Sequence, residues 1–185
     1  MKFETKVIHS GLDTDPSTGA IITPIYQTST YVQKKPGENM GYEYSRTKNP
    51  TRSALENSIA ALENGKFGIC YSSGMGAADA IVKLLKPKDA IICNKDIYGG
   101  TYRMFSQVFS NFDLKFEYID LTEADNLNTS LTDQTKLIWI ETPSNPLLEI
   151  IDIQKITKMV KHRDDIIVVV DNTFASPALQ NPLDL

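Results

Sequence analysis

Ile166-Ile167-Val168-Val169-Val170-Asp171-Asn172-Thr173 reads as a β-branched, apolar strand (166–170) that runs into a polar turn. A strand with one wet face alternates apolar and polar residues. This one has no polar alternate, so both faces are expected to be covered. Moving outward, apolar-rich runs recur at 67–71, 90–93, 115–119 and 137–140. Helical patterns separate them. Asn49-Pro50 reads as an N-cap followed by proline, Leu55, Ile59 and Leu62 recur at helical spacing, and Gly65 closes the segment. Further helices are expected over 77–85, stopped by Pro87, over 99–109, with Tyr102, Phe105 and Phe109 on one face, and over 153–160. Alternating strands and helices predict an α/β fold, a mostly parallel sheet flanked by helices on both faces.

Residues 1–48 differ from the rest. They hold Pro16, Pro24 and Pro36 and no sustained period, and read as an extended N-terminal arm making inter-subunit contacts. Residues 49–185 form the sheet-bearing domain. It reads as incomplete, because Pro182-Leu183-Asp184-Leu185 is neither a capped helix nor a polar tail. Of the 185 residues, 41% are hydrophobic and 23% charged, ordinary values for a globular protein. The net charge of −4, with no stripe of Lys or Arg, argues against a nucleic-acid partner. No apolar run reaches membrane-spanning length, and the first residues lack a signal-peptide core, so a cytoplasmic protein is expected. Cys70 and Cys93 lie in apolar runs and read as buried, mid-strand thiols. His9 and His162 stand apart, so no metal site is expected.

Ligands of open parallel sheets bind beyond the carboxyl ends of the strands. Three features fall there, each with two readings. Ser72-Ser73-Gly74-Met75-Gly76 is either a phosphate cradle at a helix N-terminus or a tight strand–helix turn. Asp171 either faces a cationic group, such as a pyridinium nitrogen, or caps the turn through Asn172 and Thr173. Tyr98, before Gly99-Gly100, either stacks on a flat ring or is a plain loop tyrosine. In the arm, Arg46 either binds a phosphate or is a solvated charge.

Five motifs occur in order: Tyr44-Ser45-Arg46 with Asn49-Pro50-Thr51, then Ser73-Gly74-Met75, Tyr98-Gly99-Gly100-Thr101, Glu141-Thr142-Pro143-Ser144-Asn145-Pro146, and Val170-Asp171-Asn172-Thr173-Phe174. Together they resemble the Cys/Met-metabolism (trans-sulfuration) enzymes that use pyridoxal 5'-phosphate: cystathionine γ-synthases, cystathionine γ-lyases and their relatives. The resemblance covers essentially the whole chain. It implies the N-terminal part of a fold-type I transferase, cytoplasmic, working on cystathionine, activated homoserine and cysteine in methionine and cysteine metabolism. It also implies a homotetramer, a dimer of dimers.

By the same resemblance, Asp171 would pair with the cofactor's ring nitrogen, and Tyr98 would cover the ring face and assist proton transfer. These two are the expected catalytic residues. Ser73, Gly74 and Met75 would hold the phosphate. Tyr44 and Arg46 would reach the phosphate of a neighbouring subunit. Asn145 would contact the ring hydroxyl, and Thr173 would support the ring from the Asp171 side. Glu141 and Arg103 are polar residues near the crevice beyond the strand ends and carry no assigned role. The family's Schiff-base lysine follows the next strand in a Ser-x-x-Lys context, and its carboxylate-binding arginine lies in the C-terminal domain. This chain ends before both, and Lys95 lies in the wrong context. The 185 residues alone are therefore expected to be inactive. Gly100 stands where methionine γ-lyases carry cysteine, which favours a cystathionine-handling relative. Segments 141–148 and 172–183 place γ-synthase ahead of γ-lyase. β-Lyase chemistry is not separated from these, and an inactive fragment or binding module is the alternative.

Overall fold

The computed structural model describes residues 2–185, which divide into two compact units, 2–70 and 71–185. The boundary expected at 48/49 falls inside the first unit. That unit holds two helices, α1 (Phe3–His9) and α2 (Pro50–Leu62). The arm is thus not extended throughout. Glu4 in the first turn of α1 and Lys6 and His9 in its last turn oppose the helix dipole favourably. Asp15 organises the next bend: Oδ1 accepts Ser17 N–H at 3.0 Å and Thr18 N–H at 2.8 Å, and Oδ2 accepts the Tyr26 hydroxyl at 2.8 Å. The Ser17 and Tyr26 hydroxyls hold its carboxyl well below the usual range. Asn49 caps α2 as expected, accepting Thr51 N–H at 2.9 Å. The helix ends at Leu62. Asn64 takes the left-handed conformation (φ 55°), and Gly65 N–H reaches back to Ala60 O, so asparagine, not Gly65, makes the reversal.

The second unit is a four-stranded, all-parallel sheet in the order β2-β1-β3-β4: β1 (Ala90–Asn94), β2 (Lys115–Ile119), β3 (Thr135–Glu141) and β4 (Ile167–Asp171). Helices cover both faces. On one, Ala78 and Val82 of α3 (Gly74–Val82) pack with Cys93, Phe105, Leu137 and Trp139. On the other, Ile153, Ile156 and Val160 of the helix Ile153–Val160 pack with Ile92, Ile138 and Ile140. Odd and even residues of β3 therefore serve different cores, which is why its apolar run lacks polar alternates.

Three expectations are corrected. Residues 67–71 form no strand: among the described residues nothing pairs with them, and Phe67 and Ile69 are 77% and 71% exposed. An apolar run becomes a strand only where a ladder partner is present. Cys70 is accordingly half-buried and not mid-strand, whereas Cys93 is buried in β1, where burial pushes its thiol far up. The helix expected over 77–85 starts earlier, at Gly74, because Ser73 Oγ accepts Gly76 N–H at 3.1 Å, and it gives way to tight turns after Val82. The helix expected over 99–109 is three pieces: α4 (Gly99–Arg103), a π turn (Met104–Val108) and a 3-10 turn (Phe109–Phe112). Phe105 and Phe109 are buried as expected, while Tyr102 is half-exposed against Tyr118. Among the described residues no helix is long and apolar enough to cross a membrane.

Candidate functional site

Strand order reverses between β1 and β3: from β1 the chain moves outward to β2, then returns to β3 on the other side. Crevices form at such a switch point, beyond the carboxyl ends of the strands. A cavity of about 570 Å³ lies there, within the second unit. The walls come from the ends of β3 and β4, from α3, and from the segments that follow β1, β3 and β4. Alternation along β3 turns Trp139 and Glu141 to the same side, and along β4 Val169 and Asp171, so both strands offer an apolar floor and then an acid at the lip.

Ser73, Gly74 and Met75 supply the helical wall. Ser73 caps α3, and the first N–H groups of the helix lack partners within it, so they present positive potential. A side chain at position 74 would enter open space, since nothing lies within 4 Å of its Cβ position. The loop after β1 brings Tyr98, which lines the cavity and is 45% exposed. Gly100 makes room for that ring: a Cβ there would sit 2.4 Å from Tyr98 Cε1. Asn145 lines the cavity from the loop after β3.

Asp171 ends β4, in register with Glu141 of β3. Its Oδ1 accepts Thr173 N–H at 3.1 Å and the Thr173 hydroxyl at 2.5 Å. The capping reading thus holds for one oxygen. Oδ2 has no hydrogen bond among the described residues and remains available to a ligand. Glu141 is 5% exposed. Both of its oxygens accept Tyr98 N–H, at 3.1 and 2.9 Å, and Oε1 also accepts Asn145 N–H at 2.8 Å. Burial pushes its pKa up, the two N–H groups oppose this, and Asp171 adds to the rise. Folding therefore favours the protonated form. Stability linked to Glu141 is full below the ordinary carboxylate range and is lost as pH rises through the folded value.

The structure thus gathers Ser73, Gly74, Met75, Tyr98, Asn145, Asp171 and Thr173 around one cavity. Tyr44 and Arg46 belong to the first unit, exposed, with the Arg46 guanidinium 5.1 Å from the Tyr44 ring centroid. Lys95 does not line the cavity; it pairs with Asp120 at 2.5 Å, which keeps it charged. One contributor, Trp139, was not picked out from the sequence, and Glu141 was placed near the crevice without a role. Trp139 was hidden in an apolar run, although the period of two relative to Glu141 carries the signal. Its indole N–H is buried without a partner among the described residues, an unspent donor in the cavity wall. Glu141 had no assigned role because its partners are backbone groups of distant loops.

Residues 4–185 match the family described as Cys/Met metabolism PLP-dependent enzyme. A cystathionine β-lyase of Coxiella burnetii is 48% identical over 98% of this chain and 47% of its own length. A probable cystathionine γ-synthase of Herpetosiphon aurantiacus is 47% identical over 99% of this chain and 57% of its own. The crystal structure of cystathionine γ-lyase from Lactobacillus plantarum, complexed with L-serine, superposes with a TM-score of 0.95 at 46% identity, covering all of this chain and 48% of that one. The chain spans about half the length of the curated relatives it matches. From end to end, it belongs to the Cys/Met metabolism family of PLP-dependent enzymes.

Proposed function

We propose that this chain provides the cofactor-binding half of a cystathionine γ-synthase, which replaces the γ-substituent of an activated homoserine by cysteine. The observation that carries the reading is the convergence on one cavity of a capped helix N-terminus, an exposed tyrosine ring and a carboxylate with one free oxygen. The donor set fits pyridoxal phosphate: anion-binding N–H groups at one end, an anion for a ring cation at the other, and an apolar floor between. Bound there, the cofactor supplies a ring that stabilises negative charge at the substrate α-carbon.

In this reading the N–H groups of Gly74 and Met75, with the Ser73 hydroxyl, hold the phosphate. Tyr98 covers the ring face, and Asn145 meets the ring hydroxyl. Asp171 Oδ2 holds a proton on the ring nitrogen, while Thr173 fixes the other oxygen. Tyr44 and Arg46 serve the phosphate of a neighbouring copy, and the working assembly is a dimer of dimers. No lysine lines the cavity among the described residues, so these residues bind the cofactor without anchoring it covalently. The synthase assignment rests on Gly100 and on segments 141–148 and 172–183. It is tested in the protein carrying this chain by supplying activated homoserine and cysteine. Cystathionine formation is expected, and cystathionine cleavage as the sole reaction would reassign it to a lyase.

Trp139 is the chain's single tryptophan and lines the cavity, so its fluorescence reports occupancy directly. Pyridoxal phosphate is expected to quench it saturably, with one cofactor bound per chain. An unsaturable response would remove the binding proposal. Gly100→Ala forces the Tyr98 ring aside and is expected to weaken binding by roughly 3- to 10-fold, the worth of one aromatic stack. The same titration checks it, and an unchanged affinity would show that Tyr98 does not cover the ring.

A further inference from the structure

We propose that Glu141 is a positioning residue, a single carboxylate that binds the Tyr98 loop and the Asn145 loop to each other and so presents ring cover and ring-edge donor together. The inference rests on the cofactor reading above. Buried carboxylates are normally neutralised by a cation. Glu141 has none among its described partners: it accepts only the N–H groups of Tyr98 and Asn145. Those residues lie 43 and 4 positions away, on loops leaving different strands. Each carries a side chain that lines the cavity. The bonds go to their backbones, which leaves both side chains free for a ligand.

A purely structural tie between these loops already exists behind the cavity. Asp96 accepts the Ser144 hydroxyl and Leu147 N–H, and Asn94 donates to Asp96 O and to Glu149. None of these residues lines the cavity. The Asp96 tie holds the two loops together away from the cavity, whereas Glu141 holds the two residues of those loops that line it. Keeping a carboxylate there works against its burial and against Asp171 alongside it. Local conflicts of this kind concentrate where function demands them.

The test adds pyridoxal phosphate to wild type, Glu141→Gln and Glu141→Ala, reading Trp139 quenching for occupancy and the induced circular dichroism of the cofactor band for ring orientation. Wild type is expected to give both signals. Glu141→Ala, which releases the Tyr98 and Asn145 N–H groups while the Asp96 tie remains, is expected to bind about tenfold more weakly and to lose most of the dichroism per bound cofactor. Glu141→Gln can still accept both N–H groups at one oxygen, but it sets an amide N–H against Tyr98 N–H. It is expected to keep part of the dichroism and to melt no lower than wild type. Absence of quenching in wild type would overturn the cofactor reading itself. Wild-type binding with normal dichroism per bound cofactor in Glu141→Gln and Glu141→Ala would overturn the positioning role alone. If Glu141→Ala does not fold, Glu141→Gln decides: reduced dichroism at an undiminished melting temperature supports the role, and unchanged dichroism refutes it.

Discussion

Asp171→Asn is expected to weaken pyridoxal phosphate binding by roughly 10- to 100-fold, the worth of a charge-assisted hydrogen bond. The substitution keeps the shape of the side chain and an oxygen for the Thr173 N–H and hydroxyl, so the turn after β4 should survive. What it removes is the negative charge at the cavity lip. A neutral amide does not hold a proton on a pyridine nitrogen, so the ring loses the positive charge that makes it an acceptor of electrons. Titration by Trp139 quenching gives the affinity, and far-UV circular dichroism shows whether the fold is kept. Thr173→Ala removes the hydroxyl bond to Asp171 but keeps the backbone N–H bond and the charge, so it should cost only several-fold in the same titration. Equal losses in Asp171→Asn and Thr173→Ala would mean that Asp171 acts only as a cap.

Phe105→Ala is expected to remove about 3–5 kcal/mol of stability, the usual cost of truncating a buried phenylalanine. Phe105 is fully buried, stacked on Phe116 at 5.0 Å and set edge-on to Trp139 at 5.4 Å. Its loss leaves a void under the cavity floor that the close-packed sheet cannot fill. Because natural domains keep only about 5–15 kcal/mol in reserve, the second unit would be left close to its limit. Urea denaturation measures the change. Phe112, 62% exposed in the same segment, is the control, and Phe112→Ala is expected to stay within about 0.5 kcal/mol of wild type. Comparable losses at the two positions would contradict the assignment of this core.

The strands that could be read were those whose pattern states burial on two faces. Residues 115–119 form β2 with the expected bounds, and 166–170 differ from β4 by one residue at each end. Residues 67–71 look equally apolar, yet the pattern does not say whether a partner strand exists. The π turn at Met104–Val108 left no mark because Tyr102, Phe105 and Phe109 keep helical spacing through it. Among site residues, Ser73, Tyr98 and Asp171 were legible because each sits beside a turn after an expected element and has a chemistry of its own. Glu141 was legible as a residue near the crevice but its role was not, since an acid at a strand end looks the same whether it faces water or binds two loops. Its part follows from Tyr98 and Asn145 being brought to it by the sheet.

In the proposed function, the Asp171 carboxylate and the N-terminus of α3 grip opposite ends of one pyridoxal phosphate. The most direct test is a crystal structure of the protein carrying this chain with that cofactor bound. The expected result is a ring nitrogen within hydrogen-bond reach of Asp171 Oδ2, with the phosphate on Gly74 and Met75 N–H. A cofactor lying elsewhere, or with its phosphate beside Asp171, would contradict the claim.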